Sequence, residues 1–136
     1  VFIVPYIHRG PAKLGKAIVA WDGGLAAARA LSDALPLLKR AGRVEVVSIA
    51  GKGLPPDELP GFNITRHLSR HGISAMLKKL PPSDDVGAAL LSHAADTGAD
   101  FMVMGGYGHS RLREFILGGA TRTIFQSLTL PVFMAH

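Results

Sequence analysis

The chain has 136 residues, 15 Lys and Arg against 10 Asp and Glu, a formal charge of +5 and 48% hydrophobic residues. That is enough apolar chain for one compact domain with a sizeable core, and 18% charged residues is no disordered composition. Zero cysteines exclude disulfides, thiolate catalysis and the common zinc fingers, while no apolar run reaches the roughly 20 residues that span a bilayer and no signal-peptide layout opens the chain, so a soluble, cytoplasmic protein is expected.

Taken in chain order, Val1-Phe2-Ile3-Val4-Pro5 reads as a short strand that repeats the character of Val132-Phe133-Met134-Ala135. A linker from Tyr6 to Gly15 precedes a strand expected over 17–21, and Asp22-Gly23-Gly24 turns it into a helix over 25–40. Ala28, Leu31, Leu35 and Leu38 share one side of that helix, with a kink at Pro36. A strand over 44–49 leads into Gly51-Lys52-Gly53-Leu54-Pro55-Pro56, too rich in turn residues for regular structure. A helix over 64–71 and a strand over 74–79 follow. Pro81-Pro82-Ser83 marks a stop, with Ser83 a candidate N-cap for a helix over 84–97 that carries Val86, Leu90 and Ala94 and ends at Gly98. A strand over 100–105, a glycine-rich segment, a helical pattern from Thr121 to Leu128 and a closing strand from Leu130 to Ala135 complete the chain. Strands alternating with helices predict an α/β fold: an open, doubly wound, five-stranded parallel sheet covered on both faces.

The segment after the fourth of these strands carries the chemistry. Met104-Gly105-Gly106-Tyr107-Gly108-His109-Ser110-Arg111 leads to Leu117-Gly118-Gly119-Ala120-Thr121, so glycines stand at a strand's carboxyl end and a helix's amino end. At such a junction unpaired N–H groups and the positive helix pole face an anion that glycine lets approach closely. The spacing fits neither a Walker loop nor the dinucleotide fingerprint.

Gly105, Gly108 and, after nine intervening residues, Gly118 resemble the ATP-binding pattern of the universal stress protein (UspA-like) family, and the likeness extends from Lys16 to the end of the chain. The resemblance implies a Rossmann-like, adenine nucleotide alpha hydrolase-like sheet of order 3-2-1-4-5, whose switch point lies between its first and fourth strands. It implies an adenine site near Ala20, Asp22 and Ile49, with Asp22 facing base and ribose. Phosphates would run over Met104, Gly105, Gly108 and His109 towards Gly118, Gly119, Ala120 and Thr121. The implied ligand is ATP, with Mg2+ as a companion ion. Gly119 departs from the family, which places Ser or Thr there, and so lacks a hydroxyl expected to touch the terminal phosphates. The resemblance also implies a domain over 16–136, with 1–15 as the end of a preceding repeat in a tandem protein. Phe2 to Val4 is then expected antiparallel to Val132 to Met134, the family's final edge strand, within one chain or across a homodimer.

Two function classes stay open: a nucleotide-responsive sensor or regulator, and a nucleotide-free dimerisation or interaction module on the same fold. A flavin domain would need a Ser/Thr-rich phosphate loop after the first strand, which Asp22-Gly23-Gly24 does not supply. Lys and Arg are scattered without interleaved aromatics, against a nucleic-acid face. His67 and His71 stand four apart without a third ligand and are expected at the surface, and His93 is expected as a hydrogen-bonded core residue. No nucleophile and base pair is evident, so hydrolysis is expected to be slow or absent.

Overall fold

The computed structural model describes residues 1–52, 63–106 and 119–136. Successive side chains of a strand point to opposite faces, and in the central strands both sets are apolar, as a sheet covered on both sides requires. Six strands form: β1 Phe2–Ile3, β2 Lys16–Ala20, β3 Arg43–Ile49, β4 Ala75–Leu80, β5 Phe101–Gly105 and β6 Val132–Ala135. Five helices are described: α1 Leu25–Asp33, α2 Leu35–Leu38, α3 Ile64–Arg70, α4 Val86–Asp96 and α5 Gly119–Gln126. The sheet order is β1-β6-β5-β2-β3-β4, with β2 to β6 parallel and β1 antiparallel on β6.

Counted without β1, the parallel strands have the expected order 3-2-1-4-5. The sheet has six strands rather than five because Phe2 faces Phe133 and Ile3 faces Val132, which makes β6 an inner strand of this chain and not its edge. The Phe2 and Phe133 rings lie 6.4 Å apart, and Val1 and Met134 exchange two backbone hydrogen bonds of 2.7 and 2.8 Å.

One apolar layer joins Val19, Val46, Phe101 and Val103 to Ala27, Ala30 and Leu31 of α1, Leu38 of α2 and Leu68 of α3. The other joins Ile18, Val47, Met102 and Val132 to Leu90 and Leu91 of α4 and Ile124 of α5. Two local expectations are corrected. The helix over 25–40 is two helices, with Ala34 ending α1 and starting α2; Pro36, which has no N–H, sits in the first turn of α2, where no intrahelical donor is needed. Asp85, not Ser83, caps α4: its Oδ1 accepts the Ala88 N–H at 3.0 Å, while Ser83 Oγ donates to the Asp85 carbonyl.

A buried charge cluster lies towards the amino ends of the strands. Glu45, 8% exposed, has Lys16 Nζ at 3.1 Å and His93 Nε2 at 3.4 Å from its Oε2. Burial by itself would raise the Glu45 carboxyl, but the bond to Lys16, the Lys16 charge and then His93 outweigh it and hold the pKa below the ordinary value. His93 is half-buried, not fully in the core, and stands against the Glu45 carboxylate with no hydrogen bond to its Nε2 among the described residues.

Candidate functional site

The place where the carboxyl ends of β2 and β5 meet is set by register. Ala17 to Val19 pair with Phe101 to Val103, so the two strand ends emerge side by side, and α1 and α5 pack on opposite faces of the sheet. A topological switch point of this kind is where open α/β sheets take ligands.

On the β2 side, Trp21 continues the ladder by donating its N–H to the Val47 carbonyl at 2.8 Å, and the chain then folds back at Asp22. Asp22 Oδ1 accepts the Gly24 N–H at 2.8 Å, Gly23 takes a φ of +77°, and Gly24 caps α1 with no side-chain bond. The turn needs glycine for its left-handed backbone at Gly23, and Gly24 is closely packed as well: a Cβ on it would lie 3.0 Å from Asp22 Oδ1. The half-buried Asp22 carboxylate therefore stands at the amino pole of α1, whose first turn holds no other acid. Ala20, also half-buried, precedes it on the strand.

On the β5 side, Gly105 is a packing glycine. A Cβ there would lie 2.6 Å from the Ala27 nitrogen and 2.7 Å from the Ala26 carbonyl carbon, so the strand end touches the backbone of the first turn of α1. Gly106 is as tightly held: a Cβ on it would lie 2.6 Å from Met134 Sδ, and its N–H donates to the Ala135 carbonyl. Met104 and Ile49, each 5% exposed, fill the core beneath the rim and leave little of their side chains open at the surface.

The third part of the site is the start of α5. Gly119 is exposed with nothing within 4 Å of a Cβ placed on it, Ala120 is half-buried, and Thr121 is buried at 5% exposure. Gly108, His109 and Gly118 lie outside the described residues. The structure thus brings Ala20, Asp22, Met104 and Gly105 to one rim, with Ile49 on the neighbouring strand. A cavity of about 380 Å3 continues that rim at the carboxyl ends of β3 and β4, lined by Lys52 and Asp84 among others. The sequence pattern singles out neither residue. A second cavity, of about 490 Å3, lies by α3 and the start of β4, away from the rim.

Among the described residues no group of three or more His, Cys, Asp or Glu side chains is placed to hold a metal ion. His67 and His71 are half-buried rather than exposed, their rings edge to face at 5.0 Å. Burial, then the charges of His71 and Arg70, lower the His67 pKa. No helix among the described residues is long and apolar enough to cross a membrane.

No protein-family model matches the sequence, and no curated protein matches it. Solved structures share its fold. The universal stress protein UspA from Lactobacillus plantarum superposes with a TM-score of 0.72 at 12% identity, covering 93% of this chain and 100% of that one. A universal stress protein from Archaeoglobus fulgidus gives 0.68 at 21% identity, covering 90% of this chain and 44% of that one. A universal stress protein solved in complex with cAMP gives 0.64 at 18% identity, covering 90% and 97%. At such identities the likeness establishes the Rossmann-like fold of the universal stress proteins.

Proposed function

We propose that the chain is a universal stress protein domain that binds an adenine nucleotide, ATP with Mg2+, and acts as a sensor or regulator rather than as a catalyst. The observation that carries this reading is the Asp22 turn at the amino pole of α1, packed beside the end of β5 at the switch point of the sheet. A carboxylate there suits the hydroxyls of a ribose, and the start of α5 offers N–H groups to phosphates. The fold neighbour solved with cAMP supports an adenine nucleotide as the class of ligand. The seat of β1 on β6 supports the companion proposal that a second domain of this kind, in tandem or as a second copy, joins at this side of the sheet.

A second reading has its own observation. Gly105 and Gly106 are both required by packing against α1 and Met134, so these two glycines would persist in an interaction module that binds no nucleotide. Calorimetric titration with Mg-ATP separates the two. The sensor reading expects saturable binding that Asp22→Ala weakens at least about tenfold, the scale of a lost charge-assisted hydrogen bond. It also expects tighter binding by Gly119→Ser, because the new hydroxyl enters open space at the start of α5. A folded protein that gives no heat at millimolar concentrations of ATP, on the order of the weakest useful affinity, would establish the interaction module.

A further inference from the structure

We infer that the seam between α4 and α5, built from Asp85, Gly87 and Thr123, fixes the first turn of α5 and so makes the site favour a phosphorylated adenine nucleotide over the bare nucleoside. This rests on the nucleotide-binding reading above and names what sets the selectivity of that same site. Gly87 is in the first turn of α4, and it is buried. A Cβ on it would lie 2.7 Å from the Ala120 carbonyl oxygen and 2.8 Å from Thr123 Cβ, so at this level the backbone of α4 meets the backbone and the Thr123 side chain of α5 directly. A helical glycine is less stabilising than alanine, and the close approach of α5 is what the structure obtains from it.

Asp85 adds a directional tie. Its Oδ1 accepts the Ala88 N–H at 3.0 Å, which caps α4, and its Oδ2 accepts the Thr123 hydroxyl at 3.2 Å. Ala120 and Thr123 are three apart and lie on one face of α5, so backbone contact at the first and hydrogen bond at the second fix the rotation of α5 as well as its distance. The base side of the site is built on other elements: Ala20 ends β2, Asp22 follows it and Ile49 ends β3. Loosening the seam therefore moves the donors at the start of α5 and leaves the adenine and ribose contacts in place. Asp85, Gly87 and Thr123 are positioning residues; none of them is assigned a contact with the ligand.

The test is calorimetric titration of the full chain with Mg-ATP and, separately, with adenosine. Thr123→Val removes the hydroxyl at nearly constant shape and is expected to weaken ATP about fivefold, the scale of one hydrogen bond, while adenosine stays within about twofold. Thr123→Ser, which keeps the hydroxyl, is expected to restore ATP affinity. Gly87→Ala is expected to act in the same direction and more strongly. Equal losses for both ligands, or ATP affinity unchanged in Thr123→Val, would overturn the seam's role while leaving nucleotide binding standing. Wild-type protein that binds neither ligand, or adenosine alone, would remove the nucleotide reading and this inference with it.

Discussion

Gly105 shows how one residue type serves two arguments. In the sequence it belongs to a glycine pattern that suggests phosphate contact; in the fold its missing side chain is where the backbone of α1 passes. Gly105→Ala should therefore cost about 2 kcal/mol of stability by overpacking whether or not a ligand binds, and chemical denaturation measures it; an unchanged midpoint would mean that α1 yields freely there. Glu45 is the other residue whose role lies in the fold. Its carboxyl is held below the ordinary value of 4.5, so the stability it contributes is present above that value and is lost as the pH falls through the lower folded value. Glu45→Gln should lower stability at neutral pH by about 1.5 kcal/mol and flatten the acid limb of a stability profile. The same acid limb in both proteins would show that the cluster with Lys16 and His93 is energetically silent. The sequence alone suggests His93 as a core histidine, from its place beside Val86 and Leu90. It gives no sign of Glu45 or Lys16 as partners, because pairing across the sheet and helix layer is a property of register.

At the scale of elements, most strands and helices are legible because their apolar periods are strong: β3 and β5 differ from expectation by one residue at one end, and α3 ends at Arg70 with His71 as its cap. What fails is local competition. Ser83 and Asp85 are both good caps, and the one whose carboxylate reaches the Ala88 N–H sets the start of α4. Pro36 suggests a kink within one helix, yet the preceding backbone relaxes enough at Ala34 to make two. The antiparallel seat of Phe2 on β6 is implied by the family resemblance, with the repeated apolar character of the two segments as its sign in the sequence. The seam at Gly87 is not, although a glycine in a helix's first turn is a signal of close approach. The contribution of β1 is measurable: Phe2 is 39% exposed and stacks at an angle on Phe133, so Phe2→Ala should lower stability by about 1 kcal/mol. A loss of zero in denaturant unfolding would mean that β1 rests on the sheet without holding it.

At the scale of the whole molecule, the doubly wound topology does what the glycine pattern alone does not: it carries Asp22 and Gly105, 83 positions apart in the sequence, to one rim. That convergence follows from strand order and crossover handedness, so the Asp22 side of the candidate site is legible once the order is inferred. The contributions of Gly108, His109 and Gly118 belong to residues outside those described. The most direct measurement of the central claim is a backbone amide NMR spectrum of isotope-labelled protein, recorded as Mg-ATP is added. Nucleotide binding at the switch point predicts saturable shifts at Ala20 to Gly24, Ile49 to Lys52, Met104 to Gly106 and Gly119 to Thr121, with β1 and its neighbour β6 around Phe133 unmoved. Shifts confined to β1 and β6, or a spectrum that ATP leaves unchanged, would contradict it and point to a domain that works through its sheet edge alone.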